Sequence, residues 1–181
     1  MNLLRSASIN IDGNNFYGAY QIGVRVDYST KVTLNNNFIG AVKSREETIE
    51  ADGVTPDKVS CVALGTYTNT ASTLTGLVVT NNIAGGCVSY GFNAPGHECD
   101  QSETQTLFRN NVAHSVNGGM NGIGAVIYPN PSVTPTAAAC IEASHFIAYK
   151  CREMGIFSSY SSKKIIFNGI VAIDNIHGIA A

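Results

Sequence analysis

The chain has 181 residues, of which 44% are apolar and 13% charged, and its formal net charge is −2. Soluble domains usually carry about 25% charged residues, so much of this backbone must lie in regular, mutually paired structure. The near-neutral charge excludes the basic surface that nucleic acid or an anionic membrane requires, and no apolar run reaches the roughly 20 residues of a membrane-spanning helix.

A repeated unit runs along the whole chain. It consists of a short β-rich run, a polar corner and a second apolar run, and it draws on eighteen Asn and 18 Gly residues. Both residue types tolerate the left-handed backbone of sharp turns. In chain order the units cover residues 9–18, 30–40, 77–85, 106–113, 140–148 and 165–172. The last corner residue of each unit serves as its marker, giving Asn15, Asn37, Asn82, Asn111, His145 and Gly169.

The spacing of the markers separates a basic coil from its insertions. The shortest intervals, roughly 22 to 24 residues, define one coil, and longer intervals contain loops. The loops are predicted at 44–73, 93–104 and 129–137, which are rich in charged residues, Thr or Pro. Residues 38–81 hold either one coil or two, with 59–64 as a strand of the extra coil. Further strands are predicted at 21–26, 87–92, 123–128 and 155–160, and no window has helical apolar spacing.

This pattern predicts an all-β fold, a right-handed parallel β-helix with loop insertions. Residues 1–181 would form a single segment of about five to six rungs, as a fragment of a longer chain. Stacked coils pair strand on strand about 4.8 Å apart, so equivalent residues lie above one another. An Asn-rich β-sandwich is the alternative, but its strands would alternate apolar and polar residues, and Leu77-Val78-Val79 does not.

Stacking predicts columns of side chains. Amides at the corners can bond along the axis as a ladder. The predicted aliphatic stacks are Val32, Val78 and Ile165, and Phe38, Ile83, Val112, Phe146 and Ile170. The predicted corner ladder consists of Asn15, Asn37, Asn82, Asn111 and His145.

Five cysteines without a CxxC pair leave the pairing open. Cys87 and Cys99 flank the insertion that starts at Asn93, so a disulfide between them is predicted in an oxidising compartment. Cys61–Cys99 is the alternative pairing.

Residues capable of catalysis or metal binding do not form a recognisable motif. Asp174 and His177 occur in a glycosidase-like stretch without a second partner motif, which indicates a turn. The acidic run formed by Glu46, Glu47, Glu50 and Asp52 lacks the alternating Asp/Asn and Gly pattern of a calcium loop. We therefore expect no catalytic residue, no bound metal and no cofactor.

Two segments carry a resemblance to a known family. The first is Asn81-Asn82-Ile83-Ala84-Gly85, followed by Tyr90-Gly91-Phe92, Gly96 and Cys99; the second is Phe146-Ile147-Ala148-Tyr149-Lys150-Cys151-Arg152-Glu153-Met154-Gly155-Ile156. Over about residues 75–180 the chain resembles the β-helix region of fibrocystin (polyductin) and fibrocystin-like proteins. These are large extracellular or single-pass membrane proteins, often ciliary, with immunoglobulin-like and G8 domains.

The resemblance implies a secreted or cell-surface location, including the ciliary surface. We expect a non-enzymatic structural or adhesive module whose partners are other domains or chains of a large extracellular assembly. Nucleic acid and direct membrane insertion are not expected. The related cell-surface hyaluronidases share the architecture, so the alternative is a β-helix that binds or cleaves polysaccharide, with carbohydrate as its partner.

Overall fold

The described part of the chain is all-β and contains no helix, as predicted. The computed structural model describes residues 1–43, 59–64, 76–99, 106–117, 122–128, 140–158 and 164–181. Twenty strands in these residues form three sheets, and every pairing is parallel except one.

The three sheets are named A, B and C, and their strands are numbered along the chain. Sheet A contains β1 (Asn2–Leu4), β4 (Ile22–Asp27), β7 (Ser60–Leu64), β10 (Tyr90–Pro95), β14 (Ile123–Tyr128), β17 (Met154–Phe157) and β20 (His177–Ala180). Sheet B contains β2 (Ala7–Asp12), β5 (Thr30–Asn35), β8 (Leu77–Thr80), β11 (His97–Glu98), β12 (Thr106–Arg109), β15 (Cys140–Ser144) and β18 (Lys164–Asn168). Sheet C contains β3 (Asn15–Tyr17), β6 (Phe38–Gly40), β9 (Ile83–Gly85), β13 (Val112–His114), β16 (Ile147–Tyr149) and β19 (Val171–Ile173).

The chain visits the sheets in the fixed order A, B, C and then repeats. Each strand pairs in parallel with the equivalent strand of the neighbouring turn, as in the register Phe38 to Ile83 to Val112. The exception is β11, which runs antiparallel to β15. Three parallel sheets visited in cyclic order are consistent with a parallel β-helix.

Residues 38–81, for which the sequence predicts either one coil or two, contain a single turn. β7 is the sheet A strand between β6 of sheet C and β8 of sheet B, so residues 59–64 do not begin an extra coil. The predicted insertion at 93–104 begins too early, because Asn93–Pro95 belong to β10 and pair with β14. The remaining predicted loop positions at 44–58, 65–73, 100–104 and 129–137 lie outside the described residues.

The three corners of a turn differ in length. The corner between sheets B and C has two residues in each of the six turns, from 13–14 to 169–170. Five of the six segments outside the described residues lie between sheets C and A or between sheets A and B in chain order, and the sixth, 100–105, lies between β11 and β12 of sheet B. The B-to-C corner is therefore the uniform one, and the variable lengths of chain flank sheet A.

The interior is a column of apolar side chains enclosed by the three sheets. Sheet B contributes Ile11, Leu34, Val79, Phe108 and Ala143, all buried, from successive turns. Burying one large apolar side chain contributes about 1.5–3 kcal/mol. Small residues are needed where the coil is narrow: a Cβ on Gly124 would collide with the carbonyl oxygen of Gly155.

Candidate functional site

A ladder of three asparagines connects successive turns at the B-to-C corner. Asn37, Asn82 and Asn111 are at most 2% exposed. The backbone N–H of Asn37 donates to Oδ1 of Asn82 at 3.0 Å, and that of Asn82 donates to Oδ1 of Asn111 at 3.0 Å. The structure therefore brings these three predicted residues together in register.

The side-chain nitrogens of the ladder bond to the main chain of the preceding turn. Nδ2 of Asn82 donates to the carbonyl of Leu34 at 2.8 Å, and Nδ2 of Asn111 donates to that of Val79 at 2.8 Å. Each amide thus accepts a buried corner N–H and donates a further hydrogen bond to a main-chain carbonyl of the preceding turn, and buried polar groups are costly when unpaired.

The two residues of each Asn-Asn corner have different roles. The first residue adopts left-handed backbone, with φ of 55° at Asn36, 57° at Asn81 and 56° at Asn110. The second residue points inward and forms the ladder. Asparagine suits the first position because its short polar side chain tolerates that conformation.

Two of the predicted ladder residues are wrong by this rule. At the first corner Gly13 takes the left-handed position (φ 68°), so Asn14 is the residue whose N–H donates to Oδ1 of Asn37, at 2.9 Å. Asn15 is the first residue of β3 and is exposed. His145 occupies the left-handed position (φ 50°), and its side chain is exposed instead of stacked in the ladder.

Phe146 holds the ladder position in the turn after Asn111. Its fully buried ring lies 6.0 Å from the ring of Phe92 and 5.8 Å from that of Phe108, with the first pair edge-to-face. Phe92 and Phe108 are also edge-to-face at 5.7 Å. The ladder therefore ends in an aromatic cluster that fills the interior of this turn. Such pairs contribute about 0.5–1.5 kcal/mol beyond their area.

A disulfide crosses the interior, but between different cysteines from those predicted. Cys61 in β7 bonds to Cys87, which follows β9, and their Cα atoms are 5.7 Å apart. The bond joins the beginning and the end of one turn, and both residues are at most 1% exposed. Cys87–Cys99 is wrong, because Cys87 already has a partner. Cys99 follows β11 beside sheet B and is itself disulfide-bonded, and Cys61–Cys99 is excluded by the same bond.

A second amide of the same kind lies at the corner between sheets C and A. Oδ1 of Asn175 accepts the N–H of Cys151 at 2.9 Å, and Nδ2 of Asn175 donates to the carbonyl of Ala148 at 3.2 Å. Asn175 is not among the residues predicted from the sequence. Asp174, which precedes it, nevertheless has a left-handed φ of 54°, like the residue before each asparagine of the ladder. Cys151 is buried, and this burial raises the pKa of its thiol to about 11.

An open pocket of about 530 Å³ adjoins this second amide. Three successive turns contribute its polar and charged groups. The backbone N–H of Arg152 bonds to the carbonyl of Val116 at 2.9 Å, which fixes the two turns together beside the pocket. The lining residues are Asn117, Lys150, Cys151, Arg152, Asp174, Asn175 and Ile176.

The outer face of sheet C is partly apolar and exposed. Ile83 is 39% exposed, Ile147 38% and Val171 44%. On the same face the rings of His114 and Tyr149 stack with centroids 5.0 Å apart and planes 11° apart. Burial lowers the pKa of His114.

The remaining candidate residues do not assemble into a reactive centre within the described residues. There, no group of three or more His, Cys, Asp or Glu side chains could hold a metal ion. Asp174 is exposed at its corner, and His177 begins β20 opposite Met154. The acidic run of Glu46, Glu47, Glu50 and Asp52 lies outside the described residues.

Comparison with known proteins returned no relative. No protein-family model matches the chain, and no curated protein or solved structure matches it. Among the described residues, no helix is long and apolar enough to cross a membrane. The Cys61–Cys87 disulfide suggests an oxidising environment, where such bonds form and persist.

Proposed function

We propose that the chain is a right-handed parallel β-helix that serves as a structural or adhesive module of a large extracellular or cell-surface protein. The three parallel sheets visited in cyclic order support the β-helix. Connections between parallel strands of one sheet are right-handed in nearly all proteins, which supports a right-handed coil.

The observation that carries the proposal is the ladder of Asn37, Asn82 and Asn111 inside a continuously paired coil. Seven strands of sheet A, spaced by about 4.8 Å, span roughly 29 Å along the axis. The buried amides and the Cys61–Cys87 bond connect sheets and turns, so they resist bending and slippage. Resistance of this kind suits a spacer that holds other domains apart.

The location and partners in this proposal follow from the chemistry and from the family resemblance. The disulfide suits a secreted or surface protein, and the fibrocystin-like segments favour a large ectodomain, including one on a cilium. The partners would be other domains or chains of that assembly. Low charge gives weak long-range steering, so contacts would depend on shape and on the variable corners beside sheet A.

Incubation with polysaccharide tests the scaffold role against the enzymatic alternative. The complete oxidised protein is incubated with acidic and with neutral polysaccharides, and polymer length is followed by size-exclusion chromatography. We expect polymer length to stay unchanged. Shortening that disappears in Asp174→Ala or His177→Ala would overturn the scaffold role and establish a cleaving β-helix.

A further inference from the structure

The pocket at the corner between sheets C and A has features of a small-ligand site. Its volume of about 530 Å³ falls within the range of roughly 300–1,000 Å³ that is usual for ligand pockets. Its side chains project from three stacked turns whose backbones are hydrogen-bonded to one another: Arg152 N–H donates to Val116, and Lys150 N–H donates to Ile173. The pocket wall is thus built on paired backbone.

The charges in the pocket favour an anion. Lys150 and Arg152 are exposed cations, and Asp174 is the single acidic residue among the described residues of the lining. The local charge is positive although the whole chain is at −2. Lys150 forms no ion pair within the described residues. A guanidinium offers a planar pair of donors that matches a carboxylate or a sulfate.

The amides in the pocket favour hydroxyl groups beside that anion. Asn117 is exposed, and its side chain forms no hydrogen bond within the described residues. Asn175 uses one lone pair for Cys151 and one N–H for Ala148, which leaves one of each for a ligand. Groups that both donate and accept match vicinal hydroxyls, and the 69% exposed Ile176 offers an apolar surface for the C–H face of a ring.

We propose that this pocket binds an acidic saccharide unit, with Lys150 and Arg152 pairing its anionic group and Asn117 and Asn175 contacting its hydroxyls. The shared chemistry is an anion on a hydroxylated ring, which occurs in carboxylated and in sulfated sugars. An acidic peptide would also pair with the two cations, and its main-chain N–H and C=O groups would bond to the amides, but it has no sugar ring whose C–H face could lie against Ile176. The proposal goes beyond the scaffold role, which would stand even if the pocket bound nothing.

Calorimetric titration of the full oxidised chain tests the proposal. The probes are a uronate tetrasaccharide, a sulfated tetrasaccharide, a neutral tetrasaccharide and a polyglutamate peptide. We expect binding of one or both anionic saccharides that weakens with added salt. We expect the double variant Lys150→Gln/Arg152→Gln to lower the affinity at least tenfold, about 1.4 kcal/mol.

A matched variant controls for the loss of two positive charges. Arg109→Gln/Lys164→Gln removes two exposed cations from sheet B and should leave the affinity unchanged. Titration of ¹⁵N-labelled wild-type protein is a readout that needs no variant, because the side-chain amide signals of Asn117 and Asn175 should shift on binding. The proposal is overturned by absence of binding, by equal binding of the neutral sugar or the peptide, or by equal loss in the control variant.

Discussion

Replacing Asn82 by alanine should destabilise the protein by about 3 kcal/mol. The side chain is fully buried; it accepts the N–H of Asn37 at 3.0 Å and donates to the carbonyl of Leu34 at 2.8 Å. Truncation leaves the corner N–H of Asn37 buried without its acceptor and removes the hydrogen bond that Asn82 donates to the carbonyl of Leu34. An unsatisfied buried group costs about 1–3 kcal/mol and a lost hydrogen bond about 0.5–1.5 kcal/mol, so the two together give roughly 1.5–4.5 kcal/mol, less where a water enters the vacated space.

Equilibrium urea unfolding of the oxidised protein measures this loss as a shift in midpoint at constant slope. Asn14→Ala is the matched control, because Asn14 is exposed at the end of the ladder and its amide donates to Asp12 at 3.0 Å. Its effect should stay within about 0.5 kcal/mol. Asn82→Asp keeps the acceptor but cannot donate when ionised, so at neutral pH it should cost at least as much as alanine. A loss of unfolding free energy below about 1 kcal/mol for Asn82→Ala would show that the buried main-chain groups of Asn37 and Leu34 do not depend on this side chain.

Other predictions concern the interior and one surface histidine. Phe146→Asn would extend the asparagine ladder by one residue. It should nevertheless lower the free energy of unfolding by about 3 kcal/mol, because the loss of aromatic packing outweighs the new amide hydrogen bonds. Phe146→Leu should lower the free energy of unfolding by less in the same urea assay. Peptide mapping should recover a Cys61–Cys87 cross-link, and the double alanine variant should lose roughly 3.5 kcal/mol, the loop entropy for a separation of 26 residues. Since burial raises the pKa of Cys151 to about 11, iodoacetamide should label it after unfolding but not in the native protein at neutral pH. The pKa of His114 is lowered from 6.5, so the unfolded chain takes up its proton first and stability should fall as pH drops below that value; His114→Phe should flatten this slope in pH-dependent unfolding.

The corner ladder could be located from sequence, but its register could not. In the Asn-Asn pairs that end at Asn37, Asn82 and Asn111 the second residue is the ladder residue, but Asn14-Asn15 is also such a pair and there the first residue holds the ladder position. Taking the last polar corner residue as the marker gives Asn15 and His145, which lie one residue after Asn14 and one residue before Phe146, the residues at the ladder position. The physical rule is that the ladder residue directly follows the left-handed residue, and Gly13 was the signal for it.

The disulfide illustrates a second limit of sequence reasoning. A short loop favours Cys87–Cys99 on entropy alone, but pairing requires sulfur atoms that face each other. Cys87 follows the left-handed Gly86 and is buried inside the coil, where Cys61 is also buried. The strand holding Cys61 was predicted, yet its place in the turn was left open, so its inward direction was unknown.

The predicted aliphatic stacks were only partly in register. Val78 lies opposite Thr33 and not Val32, and Val112 is followed by Ile147 and Val171, each one residue after the predicted Phe146 and Ile170. Phe38, Ile83 and Val112 do follow one another in register. They lie on the outer face of sheet C, whereas Ile39 and Ala84 fill the interior. Strands of three residues with apolar side chains on both faces have no alternation to distinguish inside from outside.

The ladder also gives the coil a polarity. Every amide bonds to the turn before it, as Asn82 does to Asn37 and Leu34. During synthesis from the N-terminus, the corner N–H of a turn therefore gains its side-chain acceptor only when the following turn is in place. Shortening the chain has different effects at its two ends. Removing early turns leaves the N–H groups of later corners with their acceptors, whereas ending the chain before Asn82 removes the acceptor of the Asn37 N–H. The addition and the loss of turns at the C-terminal end should therefore affect the stability of the neighbouring corner more than the same changes at the N-terminal end.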